Sequence, residues 1–129
     1  MMNRKKAKNL PVKDPQGTDE DMLDKLQRET FDYFLNEVNP VTGLIADKTE
    51  PGFPSSIAVT GMAMTAYIIG VEKKMLPRKN AVERILKILR FFYDSQHGRQ
   101  ANATGYKGFY YHFLKMNNGE REWNCELST

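Results

Sequence analysis

The sequence contains a single cysteine and no cluster of side chains suited to bind a metal ion. Because Cys125 has no second cysteine to pair with, an internal disulfide is excluded. His, Cys, Asp and Glu do not recur at the spacings of known metal sites, so we expect no metal and no cofactor. The Cys125 thiol is interpreted as a small buried side chain, with a reactive thiol as the less favoured alternative.

A large excess of charge and a long apolar run are also lacking. The formal net charge is +3 over 129 residues, and much of it comes from Arg4, Lys5, Lys6 and Lys8. The rest is nearly balanced, so it offers no basic stripe for nucleic acid, and no nucleic-acid partner is expected. No stretch is long and apolar enough to predict a membrane span. The basic start is not followed by the apolar segment of a signal peptide, so the sequence itself indicates no export.

The composition is that of a folded domain, since 40% of the residues are apolar and 11% are aromatic. A length of 129 residues fits one domain. Residues 1–17 are basic and then rich in Pro, Asp and Gly, which predicts a disordered leader. The folded part is therefore expected to cover residues 18–129.

Two helices are predicted to be amphipathic, with one apolar face and one solvent-exposed face. The first begins after Thr18, which forms a capping-box pattern with Asp21, and runs to about Asn36. The second of this kind begins at Pro77 and is predicted to end at His97-Gly98. Each has an apolar stripe at helical spacing. The stripes consist of Leu23, Leu26, Thr30, Tyr33 and Phe34, widened by Phe31 and Leu35, and of Val82, Ile85, Leu86, Leu89, Phe92 and Tyr93.

The helix between them is different because it has almost no polar face. It is predicted from Ile57 to about Glu72, with Ser55-Ser56 as its cap. An apolar surface on all sides is typical of a helix that other elements surround. The two amphipathic helices of this chain cannot supply that much cover, so further partners are expected.

A loop of unusual length, from Val41 to Pro54, joins the first two helices. Leu44-Ile45 indicates a buried, strand-like piece, and Asp47-Lys48 follows it. The two charges could form an exposed ion pair of little value, or Asp47 could face a cleft.

The last part of the chain, GYKGFYYHFLKMNNGEREWNCELST, predicts a β-hairpin. Asn118-Gly119 suits a two-residue turn, which places Lys115 opposite Glu122 and not opposite Arg121, where like charges would meet. The remaining predicted pairs are Leu114 with Trp123, His112 with Cys125 and Tyr111 with Glu126. With strict alternation, Tyr111 and Glu126 share one face, whereas His112 and Trp123 share the other. The aromatic residues could cover a helical core, or they could stack on sugar rings.

Several sequence blocks resemble those of a known family. Gly108 to Leu114, with the block Trp123 to Thr129 after the Asn-Gly turn, is similar to a signature of the bacterial glucoamylase-like family, which includes β-1,2-glucan hydrolases. Three further blocks agree in the same order, and the resemblance extends from about Leu26 to the last residue. Lys115 departs from the family, where we expect an acidic residue. The three blocks are Thr42 to Asp47, Pro54 to Ala58 and Ile69 to Glu72.

The resemblance implies a fold and a partner. The chain is expected to be mostly α with one β-hairpin and to form the N-terminal portion of an (α/α) helical toroid. Because family members are much longer, the C-terminal part of the same domain is expected as a missing partner. Relatives are often exported, which suggests the periplasm or the extracellular space.

The resemblance also implies a hydrolase that acts on a glucan, and the candidate substrate is a β-1,2-linked glucan. Glycoside hydrolysis needs two carboxyl groups. Glu126 is the candidate catalytic residue, Asp47 is the second candidate among the acids of this chain, and a further essential acid could lie in the missing part. Asp47, Tyr111, His112 and Trp123 are the candidate substrate-binding residues. The alternative is a small helical module that binds a sugar or a protein without turnover. In either case we expect the chain by itself to be inactive and weakly stable, because the second helix would expose an apolar side.

Overall fold

The computed structural model describes residues 17–128, which are mostly helical with short antiparallel strand pairs. The predicted class, mostly α, is confirmed. Of the predicted leader, residues 1–16 lie outside the described range. The elements in chain order are α1 (Asp19–Asn36), β1 (Ser55–Ser56), α2 (Ile57–Glu72), α3 (Arg78–Asp94), β2 (Gly105–Tyr106), β3 (Phe109–Tyr110) and β4 (Phe113–Leu114).

The first two helices, α1 and α2, begin where capping side chains predict. The Thr18 hydroxyl accepts a hydrogen bond from the Asp21 backbone N–H, and the Asp21 carboxylate accepts one from the Thr18 N–H. The Ser56 hydroxyl accepts the Val59 N–H at the start of α2. These bonds satisfy N–H groups that the first turn of a helix leaves without a partner.

The helical core lies where α2 packs against both α1 and α3. Ala63 and Tyr67 of α2 are fully buried, and the Tyr67 hydroxyl donates to the Phe34 carbonyl at 2.8 Å. The Phe31 ring lies directly on Gly70, where an added methyl group would come within 2.4 Å of Phe31 Cζ. The backbone of α2 is therefore in direct contact with an aromatic ring of α1.

The predicted buried stripe of α1 is wrong in part. Phe31 is the buried residue of α1, whereas Leu23 and Leu26 remain more than half exposed. They line an open groove together with Ile69 and Met75. Within residues 17–128 no element covers this groove, so the apolar period alone did not decide which residues are buried.

The predicted stripe of α3 is wrong in part, although Ile85 and Phe92 pack against the core as predicted. Ala81 and Ile88 are buried, whereas Leu89 is about half exposed and Tyr93 is 89% exposed. The sequence of α3 pairs apolar residues side by side, as in Ile88-Leu89, so either of two neighbouring faces could turn inward. The small side chain of Ala81 favours the observed face because it lets the helices approach closely.

The end of α3 comes earlier than predicted. The helix ends at Asp94, and the Ser95 hydroxyl donates to the Phe92 carbonyl at 2.7 Å. His97 is thus not a helix cap; it forms a bridge to Gly105 and packs its ring against Tyr110.

The apolar surface of α2 is incompletely covered, as predicted. Met62 and Ile68 are each more than 60% exposed, and Ile69 is 44% exposed. None of the helices in the described range combines the length and apolar character needed to cross a bilayer. The exposed face of α2 is instead a surface left without a partner in residues 17–128.

The long loop between α1 and α2 is well anchored. Leu44 and Ile45 are fully buried, and bridges join Val38 to Ile45 and Ala46 to Ser55. This confirms the predicted strand-like piece. β1 then pairs with β4, which brings the loop and the C-terminal ribbon into one structure.

The predicted turn of the C-terminal hairpin is wrong. The loop has four residues, 116–119, and Lys115 lies opposite Glu120, since the Lys115 N–H donates to the Glu120 carbonyl at 2.8 Å. Gly119 has a positive φ, but Asn118 does not, so a two-residue turn of the predicted type is excluded. The Lys115 and Glu120 side chains pair at 2.9 Å. Opposite charges therefore meet across this register, which was not among the registers compared from the sequence.

The predicted strand pairing is wrong beyond Glu122 as well. The Glu122 N–H donates to the Phe113 carbonyl, and the His112 N–H donates to the Glu126 carbonyl. Residues 123–125 therefore bulge from one strand, opposite the adjacent residues His112 and Phe113 of the other. Two of the bulged residues, Trp123 and Asn124, have left-handed backbones. The observed bridges are Leu114 to Arg121 and Tyr111 to Leu127. Because the bulge breaks the alternation of side chains between the two faces, the prediction that His112 and Glu126 lie on opposite faces no longer follows.

The remaining strands form a separate small hairpin. β2 pairs with β3 around Lys107 and Gly108, both of which have positive φ. The predicted single β-hairpin is therefore replaced by two short sheets with additional bridges.

Candidate functional site

A cleft of about 710 Å³ opens between the end of α1, the long loop and the C-terminal ribbon. We call it the loop cleft. Most of its wall is formed by the end of α1 and by the long loop, and the C-terminal ribbon contributes Lys115 and Glu122. Its lining residues are Asn36, Glu37, Val38, Asn39, Pro40, Ala46, Thr49, Glu50, Pro51, Gly52, Phe53, Pro54, Lys115, Met116, Asn117 and Glu122.

Three carboxyl groups line the loop cleft, those of Glu37, Glu50 and Glu122. They come from three segments far apart in the sequence: the C-cap of α1, the long loop and the ribbon. The sequence signal for Glu37 and Glu50 is their position beside and in the long loop, a segment of unusual length. Among residues 17–128, no three metal-binding side chains group together in a way that could hold an ion.

Tyr33 fixes the loop to α1 beside this cleft, because its hydroxyl donates to the Ala46 carbonyl. Burial raises the pKa of Tyr33, and the negative charges of Asp47 and Glu37 raise it further. The hydroxyl therefore stays protonated and remains a donor. Asp47 is partly buried, and its N–H donates to the Pro54 carbonyl at 2.9 Å, so its backbone is held next to the cleft although it is not a lining residue.

An aromatic cluster stands at the edge of the loop cleft. We call Phe53, Phe113 and Trp123 the aromatic platform. The Trp123 ring packs against Phe53 at 5.2 Å and against Phe113 at 5.1 Å between centroids, yet the residue is 56% exposed. The Lys48 ammonium lies 4.6 Å from the centre of the Phe53 ring. Two supporting rings and a left-handed backbone thus hold an exposed indole in a defined position.

The bulge that presents Trp123 is held from behind. The Arg121 guanidinium donates to the carbonyls of Asn124 and Cys125, both at 2.6 Å. The buried Cys125 sulfur accepts the Phe113 N–H at 3.1 Å. These bonds satisfy the backbone groups that the interrupted ladder leaves unpaired, which explains how the bulge persists. The interpretation of Cys125 as a buried thiol is confirmed.

The other predicted site residues lie around the platform with different roles. Glu126 is exposed and is not among the residues lining the loop cleft. The Tyr111 ring carries the Arg121 guanidinium 4.2 Å from its centre, so one of its faces is already occupied. The His112 ring packs against Phe113, with Nδ1 3.5 Å from the Ser128 hydroxyl. Trp123 is thus the predicted residue that the structure brings to the cleft through Phe53.

Lys115 and Glu120 form the charged pair at the turn, with 2.9 Å between Nζ and Oε2. The hydrogen bond from Lys115 lowers the pKa of Glu120, and the Asn102 side chain lowers it further. The same bond raises the pKa of Lys115. Both groups are therefore charged over the whole neutral range.

Comparison with characterised proteins gives one curated relative of known activity. The chain is 35% identical over 85 residues to the exo β-1,2-glucooligosaccharide sophorohydrolase (non-reducing end) of Parabacteroides distasonis. The match covers 63% of this chain and 12% of the relative. No protein-family model matches the sequence.

Solved structures show the same local fold. A glucoamylase-like protein of Bacteroides uniformis superposes with a TM-score of 0.69 at 28% identity, over 82% of this chain and 24% of the other. An endo-β-1,2-glucanase from Chitinophaga pinensis superposes with a TM-score of 0.60 at 22% identity, over 78% and 24% respectively. At 22% identity the second likeness shows the fold alone.

The comparisons thus agree with one another but cover a limited part of each relative. The chain spans about an eighth of the curated relative and about a quarter of these two solved neighbours. Within those bounds, the resemblance to the bacterial glucoamylase-like family of glycoside hydrolases is confirmed.

Proposed function

We propose that this chain is part of a glycoside hydrolase that acts on a β-1,2-linked glucan by carboxylate acid–base hydrolysis. The curated relative is a hydrolase of β-1,2-gluco-oligosaccharides, and a solved neighbour is an endo-β-1,2-glucanase. The observation in the chain that carries the proposal is the loop cleft, where three carboxyl groups lie beside an exposed, rigidly held indole. Such rings stack on the apolar faces of sugars, and carboxyl groups serve the reaction.

The proposal includes an (α/α) toroid completed by further helices. The apolar and partly exposed α2 would be an inner helix of that ring, and α3, with its charged outer face, would be an outer one. The open side of α2 at Met62 and Ile68 supports this arrangement, since it offers an apolar surface to a neighbouring helix. The proposed substrate and the remainder of the ring are the partners of this segment.

In the proposed reaction one carboxylic acid donates its proton to the glycosidic oxygen as the C–O bond breaks. A second, ionised carboxylate takes a proton from water as the water oxygen attacks, or attacks the sugar carbon itself. Glu126 remains the proposed catalytic residue, because it closes the sequence block that resembles the family. Trp123 and Tyr111 would stack on sugar rings, while Asp47 and His112 would bind hydroxyl groups.

Binding without turnover is the second candidate function. It is favoured by the aromatic platform, which is complete within these residues, whereas the proposed second catalytic acid lies in the remainder of the ring. The chain contains one tryptophan, so its fluorescence reports directly on this platform. Titration with a linear β-1,2-gluco-oligosaccharide should change the emission, and a β-1,4-linked oligosaccharide serves as the linkage control.

The decisive experiment separates binding from turnover in the complete domain that carries these residues. Glu126→Gln should retain the fluorescence response and lose hydrolysis of linear β-1,2-glucan by about 10²-fold or more, the usual contribution of a proton-transferring group. Glu122→Gln is the matched variant, since Glu122 lines the cleft four residues earlier. Unchanged turnover in Glu126→Gln would show that Glu126 is not catalytic. A loss of turnover in Glu122→Gln instead would assign the catalytic role to Glu122. Binding with no hydrolysis by the unaltered domain would favour the binding module.

A further inference from the structure

A second polar groove lies on the far side of the four-residue turn from the loop cleft. It has a volume of about 740 Å³ and runs between α3 and the loops that contain Asn102 and Asn118. We call it the outer groove. Its volume is within the range of small-molecule sites, roughly 300–1,000 Å³. The turn is the wall between the two hollows, because Lys115 lines the loop cleft while its partner Glu120 lines the outer groove.

One wall of the outer groove is an ordered group of amide and carboxyl side chains. The Asn102 amide nitrogen donates to Glu120 Oε1 at 3.3 Å, and Asn118 Oδ1 accepts the Glu120 N–H at 3.1 Å. These contacts orient the three side chains and use one oxygen or nitrogen of each amide. The Asn102 carbonyl oxygen and the Asn118 amino group keep their capacity to bind a ligand.

The opposite wall is a stripe of α3. Arg90 and Asp94 line the groove, are exposed, and form no ion pair with any residue in the range 17–128. The floor contains Phe91, whose ring is held against Gly119, where an added methyl group would come within 2.2 Å of Phe91 Cζ. The groove thus combines donors and acceptors on two walls with an aromatic floor.

The charges of the outer groove decide which ligand it fits. Lys87 and Arg90 are positive and Asp94 is negative, while Glu83 is paired with Lys79 and Glu120 with Lys115. One positive charge remains, so a cationic ligand finds no matching charge, and the carboxylates of Asp94 and Glu120 repel a phosphate. A neutral ligand rich in hydroxyl groups does fit, since amides, carboxylates and a guanidinium all bind hydroxyls.

We propose that the outer groove is a second saccharide-binding site, formed by Asn102, Asn118, Glu120, Arg90 and Asp94, separate from the loop cleft. It would hold a neutral sugar chain against the outer face of α3 and would take no part in bond cleavage. The choice of a β-1,2-gluco-oligosaccharide as probe rests on the proposed function, whereas the site itself rests on the groove.

The test follows the side-chain amide signals of Asn102 and Asn118 by NMR in the 129-residue chain. A short linear β-1,2-gluco-oligosaccharide should shift both signals, also in Trp123→Ala, which removes the platform of the loop cleft. Arg90→Ala should weaken this response about tenfold, the usual loss for one hydrogen bond to a charged group. Arg78→Ala is the control, because Arg78 is an exposed residue of the same helix outside the groove.

The outcomes are distinct from those of the cleft. Amide signals that stay unchanged, that move with inorganic phosphate instead, or that respond equally in Arg90→Ala would overturn the proposal. If Trp123→Ala does not fold, the unaltered chain answers the question, since tryptophan emission reports on the cleft and the amide signals report on the groove. Shifted amides with unchanged emission would support the outer groove and count against binding at the platform.

Discussion

Parts of the loops are buried as completely as the centre of α2, whereas all three helices leave large apolar side chains exposed. Leu44, Ile45 and Ser55 in the loop between α1 and α2 are fully buried, as is Leu114 of the ribbon, whereas Met62 in α2 is 63% exposed. The buried hydroxyls are satisfied as well: Ser55 and Thr60 lie 2.9 Å apart, and Thr60 accepts the Ile45 N–H. The connections thus form a finished core, while the helices still present apolar surface.

The largest expected effect on stability comes from comparing two aliphatic residues, one in the loop and one in α1. Ile45→Ala should lower the free energy of unfolding by about 2–5 kcal/mol, because it leaves a cavity among fully buried neighbours. Leu26→Ala in α1 should cost less than about 1 kcal/mol, since Leu26 is 57% exposed. Urea denaturation followed by circular dichroism measures both. Equal losses would show that α1 is covered in solution.

Two glycines with the same backbone provide the next test. Gly119 and Gly52 both have positive φ, at 71° and 80°, but a methyl group at Gly119 would meet the Phe91 ring, and one at Gly52 would meet nothing within 4 Å. Gly119→Ala should cost about 2–4 kcal/mol, from backbone strain and overlap together. Gly52→Ala should cost only the backbone term, about 1–2 kcal/mol. A difference of zero in their melting temperatures would mean that Phe91 moves freely aside.

A pair of threonines separates buried from exposed hydroxyls. Thr60→Val removes the acceptor of the buried Ile45 N–H and should cost about 1–3 kcal/mol. Thr30→Val removes an exposed hydroxyl that donates to the Leu26 carbonyl, and a change within about 0.5 kcal/mol is expected. Thermal melts of the two variants against the unaltered chain give the comparison. A larger loss in Thr30→Val would contradict the expected difference between buried and exposed hydroxyls.

The smallest effect is expected from the exposed pair at the turn. The pKa of Glu120 is lowered from its ordinary value of 4.5, so its stabilising contribution is present above that value and is lost as the pH falls through the lowered pKa. The pKa of Lys115 is raised above 10.5, so its contribution is present below that value and is lost as the pH rises through the raised pKa. Glu120→Gln should therefore lower the melting temperature slightly at pH 7, and this difference should diminish as the pH falls through the lowered pKa of Glu120.

Glu72→Gln, at the exposed end of α2, is the control for this pH series. If it reproduces the pH dependence of Glu120→Gln, net charge and not the pair accounts for the effect.

Local signals predicted the helices well, because caps act within a few residues. Thr18 with Asp21 and Ser56 with Val59 fixed two helix starts that the structure confirms. The buried faces were less predictable. Neighbouring apolar residues such as Ile88 and Leu89 leave the orientation of α3 to packing against α2, and the sequence alone does not contain that contact in readable form.

The ribbon shows where turn rules reach their limit. Asn118-Gly119 is a strong two-residue signal, but the longer loop lets Lys115 meet Glu120 and lets Met116 accept a bond from Thr42. The bulge at Trp123 depends on Arg121 and Cys125, so no pairwise rule predicts it. Trp123 was identified as a candidate, whereas Glu37 and Glu122 reach the loop cleft only through the tertiary fold.

The contact between Phe31 and Gly70 has a mechanical consequence for α1. The Phe31 ring, seated on the bare backbone of Gly70, is the most deeply buried contact of that helix, whereas α2 and α3 pack along a longer interface. A methyl group added at Gly70 would therefore displace Phe31 and with it α1, and leave the packing of α2 against α3 in place. The hydrogen bonds of Tyr33 to the Ala46 carbonyl and of Tyr67 to the Phe34 carbonyl then remain as the polar links of α1 to the rest of the fold.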